Sequence, residues 1–75
     1  MDQEKFGKLI KDIRRKNNLT QKQMSEITGL GQMNYSRYER GLILIPFSKL
    51  YLIAKKFNVS LDYLLGKENR TKVLS

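Results

Sequence analysis

Between Thr20 and Gly41 the sequence is punctuated so closely that it permits only two short helices with a sharp turn between them. Thr20, with Gln23 three residues on, reads as a capping box, the hydroxyl accepting from a free amide of the first turn. The helix it opens carries Met24 and Ile27 inward. It stops at Thr28-Gly29, because glycine readily takes the left-handed conformation that ends a helix. Gly31 sits at the cap of the next helix, Gln32 to Arg40, and Gly41 lies just past its end. On that helix Tyr35 and Tyr38 are three residues apart and face the core.

The flanks are helical as well. From Gln3 to Asn17, Phe6, Leu9, Ile10 and Ile13 fall at i, i+3, i+4 and i+7, one face of a helix. Lys8, Lys11 and Arg15 make a second, basic stripe on it, a solvated face giving general attraction to anions. Pro46 suits the first turn of a fourth helix, where its missing amide is not needed. Leu50, Ile53, Ala54 and Phe57 form the apolar stripe of that helix, which ends near Asn58. Ser60 caps a last short helix, with Leu61, Leu64 and Leu65 inward and Gly66 closing it. No strand pattern, repeat or low-complexity segment occurs. The expected fold is all-α: five helices in one domain, residues 1–66, followed by a polar tail, residues 67–75.

Composition narrows the function classes. Seventy-five residues make one domain. The absence of cysteine removes disulfides, a thiol nucleophile and thiolate metal sites. There is no histidine, no Gly-rich phosphate loop and no acidic pair in an apolar setting, so neither an enzyme nor a bound cofactor or metal is expected. No apolar run approaches the ~20 residues of a membrane span, and no signal-peptide core stands at the N-terminus. The expected compartment is the cytoplasm. Fifteen Lys and Arg against seven Asp and Glu, a net charge of +8, favour a polyanionic partner. Nucleic acid leads and an anionic membrane surface comes second. The caps and turns that break the chain into short packed helices argue against a membrane-active peptide. No small-molecule ligand is evident.

Two short helices joined by Thr28-Gly29-Leu30-Gly31 are the pattern of a helix-turn-helix. The glycine turns the chain, Leu30 pins the turn to the core, and the second helix projects outward. An α-helix fits the DNA major groove, where base edges display distinguishable donors and acceptors. Gln32, Met33, Ser36, Arg37 and Arg40 share the face opposite Tyr35 and Tyr38. "LTQKQMSEITGLGQMNYSRYERG", Leu19 to Gly41, resembles the helix-turn-helix of the lambda-repressor-like family of phage repressors, Cro proteins and small XRE-type regulators. "FNVSLDYLLG", residues 57–66, is similar to the end of that domain. The resemblance covers residues 3–66.

The resemblance implies a sequence-specific regulator of transcription on double-stranded DNA, a repressor acting as a homodimer on a pseudo-palindromic operator. It assigns Gln21 to a phosphate, where it also braces the recognition helix, and Gln32 to adenine. Met33 and Arg37 stand where base-reading side chains stand, with Ser36 on the same face. Met33 would pack on a thymine methyl, and Arg37 would either read guanine or hold a phosphate. Arg40 and the Tyr38 hydroxyl are placed for phosphates. Arg14 and Glu39 match a structural salt bridge between the first and third helices.

One segment departs from the pattern. Phage repressors carry Lys and Arg after the third helix, whereas this chain has Leu42, Ile43, Leu44 and Ile45. One or two of these side chains cap the core; a loop so short has an outer side that leaves the rest exposed. Leu52, two residues past Leu50, lies off the buried stripe and joins them. The set is either a subunit contact or is buried within one chain. It also keeps open a rival function, a protein-interaction module (an antitoxin or adaptor) on the same fold.

Overall fold

The computed structural model describes residues 2–60. Four helices lie in this range: α1 (Asp2–Lys16), α2 (Gln21–Thr28), α3 (Gln32–Glu39) and α4 (Phe47–Lys56). The expected fifth helix, with Leu61, Leu64 and Leu65, and the tail lie outside the described residues.

Local chemistry sets the boundaries. Thr20 caps α2 with the anticipated box: its hydroxyl accepts from the Gln23 amide at 3.1 Å, and its own amide donates to the Gln23 side chain at 2.8 Å. Gly29 closes α2 with φ +76°, a left-handed conformation that a side chain would strain. The other three helices end on one shared pattern. The amides of Leu19, Leu42 and Val59 reach back five residues to the carbonyls of Arg14, Arg37 and Ala54. A left-handed residue precedes each: Asn18, Gly41 and Asn58. This is the Schellman motif, and it satisfies carbonyls that the helix end leaves orphaned. Pro46 stands one residue earlier than the first helical turn. It is the N-cap of α4, extended at ψ 145°, and its carbonyl accepts from Lys49 and Leu50.

The core draws on every helix. Ile10 and Ile13 of α1, Met24 of α2, Tyr35 of α3 and Leu50, Ile53 and Ala54 of α4 are buried together. Phe6, Leu9, Leu19, Ile27, Leu30, Tyr38, Phe57 and Val59 pack around them. Ile45 belongs to this core at 5% exposure: it is a loop side chain that caps the core, which corrects its inclusion in the subunit-contact set. It is the loop residue that turns inward as the chain enters α4. Leu42 and Leu44 are more than half exposed, and Ile43 is exposed as well. Leu52 is half-buried rather than part of the exposed set. The open apolar surface of α4 comes instead from Phe47 and Tyr51, four residues apart on one helix face. Their rings stack with centroids 6.5 Å apart, and the Lys55 ammonium lies 5.7 Å from the Tyr51 ring centre.

α1 and α3 approach through a glycine. A Cβ placed on Gly7 would meet the Tyr38 carbonyl oxygen at 2.3 Å and the Glu39 carbonyl oxygen at 2.8 Å. Two helix backbones therefore touch where any side chain would hold them apart. The buried half of α3 is thus fixed in depth, and its other half is turned outward.

Candidate nucleic-acid interface

The inner side of α3 is held by a polar network around Glu39, whose side chain is 2% exposed. Arg14 Nε donates to Glu39 Oε2 at 2.7 Å, and Arg14 Nη2 to Oε1 at 3.2 Å, a two-pronged pair of the geometry arginine and carboxylate favour. Arg14 Nη1 also donates to the Leu19 carbonyl at 2.9 Å, tying the α1–α2 connection to the same group. From the first turn of α2, Gln21 Nε2 donates to Glu39 Oε1 at 3.0 Å. Side chains from α1 and α2 thus converge on one carboxylate at the end of α3.

The electrostatics follow from that convergence. Burial pushes the Glu39 carboxyl up, but the hydrogen bond from Arg14, with Tyr35 and Gln21 beside it, outweighs burial and holds it below the usual carboxylate value. The Glu39 bond likewise raises the Arg14 guanidinium, against burial. Tyr35 is fully buried, its hydroxyl makes no well-formed hydrogen bond among the described residues, and burial pushes the phenol far above its usual range. Glu39 is consequently an ionised anchor facing inward, away from the solvent side of α3.

The outer side is polar and open. Gln32, Met33, Asn34, Arg37 and Arg40 are exposed, Met33 to 67%, and Ser36 is half-buried beside them. The side chains of Gln32 and Arg40 hydrogen-bond to nothing among the described residues. Tyr38 is partly buried against the core. The structure therefore brings Gln32, Met33, Ser36, Arg37 and Arg40 onto one surface. Gln21 lies at the neighbouring end of α2, with its amide nitrogen engaged by Glu39.

Two contributors are absent from the sequence reading. Asn34 joins the outer face: Arg37 Nη1 donates to Asn34 Oδ1 at 3.3 Å, and Arg37 Nη2 to the Met33 sulfur at 3.5 Å. The i, i+3 spacing of Asn34 and Arg37 was the available signal. Gly7 sets the depth of α3, and its signal was a glycine inside an otherwise good helix, where it costs ~1 kcal/mol relative to alanine.

Buried hydroxyls shape the turn that presents this face. Thr28 Oγ1 donates to the Met24 carbonyl at 2.8 Å and accepts from the Leu30 amide at 3.4 Å, so the residue before Gly29 ties both sides of the turn. Among the described residues no helix is long and apolar enough to cross a membrane, and no acidic cluster could hold a metal ion.

Comparison with known proteins agrees with this geometry. The chain is 39% identical over 67 residues to the HTH-type transcriptional regulator ImmR of Bacillus subtilis, a match covering 89% of this chain and 53% of that protein. It is 36% identical over 63 residues to the antitoxin PezA of Streptococcus pneumoniae, covering 84% of this chain and 40% of PezA. It is 33% identical over 57 residues to the uncharacterized HTH-type transcriptional regulator YobD of Bacillus subtilis, covering 76% and 51%. The chain thus spans about half the length of the curated relatives it matches. No solved structure is significantly similar to it. A family model described as helix-turn-helix matches residues 10–64, which takes in α2, the turn and α3 whole: the chain belongs to the helix-turn-helix family.

Proposed function

We propose that the chain is a sequence-specific double-stranded DNA-binding regulator of transcription, a repressor that acts as a homodimer in the cytoplasm without cofactor or enzymatic activity. The observation that carries this reading is the asymmetry of α3. Its inner side is locked by Arg14, Gln21 and Glu39, while Gln32, Met33, Ser36, Arg37 and Arg40 stand outward on a helix that follows a tight turn. A helix anchored on one side and exposing a polar face on the other suits the major groove, where base edges are distinguishable. The relatives described as HTH-type transcriptional regulators support the same reading.

In this reading Gln32 and Arg37 meet base edges, with Met33 and Ser36 beside them. Arg40, the Tyr38 hydroxyl and Gln21 hold phosphates. The net charge of +8 supplies affinity that does not depend on sequence, and the base contacts supply preference. Two copies place two α3 helices in successive major grooves, about 34 Å apart, on a pseudo-palindromic site. Leu42, Ile43 and Leu44, with Phe47 and Tyr51, provide the apolar surface for the second copy.

That same surface favours one rival. An interaction module binding a protein partner would use Leu42–Leu44 and leave α3 idle, and the likeness to an antitoxin belongs on that side. Selection of bound duplexes from a random library decides between them. Enrichment of a two-fold-related motif supports the regulator. A library that stays random, with binding that salt abolishes equally for every sequence, overturns it.

A further inference from the structure

Met33 and Asn34 stand four and three residues before Arg37, and a long side chain on a helix leans toward the helix N-terminus over the preceding turn. Arg37 follows that rule. Its guanidinium lies back over the first turn of α3, with Nη1 on Asn34 Oδ1 at 3.3 Å and Nη2 on the Met33 sulfur at 3.5 Å. All three side chains are exposed, and each terminal nitrogen of the guanidinium fork has its own acceptor. A free surface arginine samples many rotamers, and ordering it costs conformational entropy at the moment of binding. Here two acceptors narrow that freedom before DNA arrives. They engage two of the five guanidinium N–H groups and leave three, enough for the two bonds that guanine N7 and O6 accept.

We propose that Asn34 is a positioning residue for base recognition: with Met33 it sets the Arg37 guanidinium in a fixed orientation, so that Arg37 reads guanine rather than resting on a phosphate. This deepens, and rests on, the DNA-binding reading above. It also gives Met33 a second use. Its sulfur supports the arginine while its methyl end stays free for an apolar contact with a neighbouring base. The guanidinium is drawn toward the turn that carries Gln32, so the bases read by Gln32 and Arg37 are close neighbours in the half-site.

The test is a comparison of binding preference, position by position, for four proteins: the parent, Arg37→Ala, Asn34→Ala and Asn34→Asp. A site selected with the parent is varied one base pair at a time, and Kd is measured for each duplex. Arg37→Ala identifies the base pair that Arg37 reads. Asn34→Ala is expected to relax discrimination at that same base pair by about threefold or more, a part of the roughly five- to 150-fold that a whole bidentate contact is worth. Discrimination at the base pair read by Gln32 is retained. Asn34→Asp keeps the acceptor oxygen, so discrimination at the Arg37 position persists, although the added negative charge weakens binding to selected and random DNA alike. The proposal is overturned if Asn34→Ala leaves the Arg37 position as selective as in the parent, or if it lowers selectivity equally at every position. Failure of the parent to select any motif is a different result: it removes the DNA-binding reading itself. Circular dichroism on each variant keeps helix content separate from readout.

Discussion

Replacing Gly7 by alanine sets two effects of opposite sign against each other, and the structure decides which wins. In an unobstructed helix interior the change stabilises by about 1 kcal/mol, because glycine loses more backbone freedom on folding. At this position the new methyl would lie 2.3 Å from one backbone oxygen of α3 and 2.8 Å from another. The first distance falls short of the 3.0 Å that real contacts respect by about 0.7 Å. Neither oxygen can rotate away, since both belong to the backbone at the end of α3. Overpacking of this kind costs about 1–3 kcal/mol, and an immovable neighbour puts the cost at the upper end. The net expectation is a loss of about 1–2 kcal/mol, a fall in Tm of roughly 5–15 °C for a domain of this size. Because α3 must move outward to relieve the contact, specific DNA affinity should fall further than stability alone explains. The assay is thermal unfolding of Gly7→Ala beside Lys8→Ala, an exposed neighbour on the same helix, followed by binding at a temperature where both are folded. A Tm for Gly7→Ala at or above that of the parent would refute the close-approach argument.

Three further outcomes follow from named contacts. Glu39→Gln should cost roughly 2 kcal/mol at neutral pH, the scale of a hydrogen bond to a charged group, because Arg14 keeps its charge but loses the carboxylate it pairs with. The folded-state value of Glu39 is lowered, so its contribution is present above the unfolded carboxyl value of about 4.3 and is lost as pH falls through the folded value. The gap between parent and variant should therefore close in acid; a constant gap in denaturant melts from pH 7 to pH 3 would contradict this. Tyr35 is raised, so its contribution is present below about pH 10 and is lost as pH rises beyond it. Tyr35→Phe, which deletes a buried hydroxyl without a well-formed partner, should stay within ~1 kcal/mol of the parent and flatten the alkaline loss. Ile43→Ser with Leu44→Ser should keep helix content and shift sedimentation toward monomer, whereas Ile45→Ser should lose about 2–4 kcal/mol of monomer stability. A dimer unchanged by the loop pair would place the contact elsewhere.

Much of this was legible in the sequence because the signals were local. A capping box needs only Thr20 and Gln23, and a left-handed helix end needs only Gly29 or Gly41; the same role for Asn18 and Asn58 came from the structure. The stripe of Ile10, Ile13, Leu50, Ile53 and Ala54 follows from the helical repeat. What stayed hidden depends on how the helices meet. Nothing in a linear pattern says which of Leu42 to Ile45 points inward; the direction in which the chain enters α4 chose Ile45. Gly7 is ordinary until α3 is laid across it, and Asn34 is one more polar residue until Arg37 folds back onto it. The paired roles of Arg14 and Glu39 came through a family resemblance; the residues lie 25 apart and no periodicity links them.

The central claim, that the outer face of α3 reads base sequence, is tested most directly by Gln32→Ala on two duplexes, the selected site and random DNA, over a series of salt concentrations. Gln32→Ala should lose about 1–3 kcal/mol on the selected site, much less on random DNA, and keep the salt slope unchanged. Arg40→Ala, measured alongside, should weaken both duplexes together and flatten the slope. An equal loss on both duplexes for Gln32→Ala, or none on either, would contradict the claim.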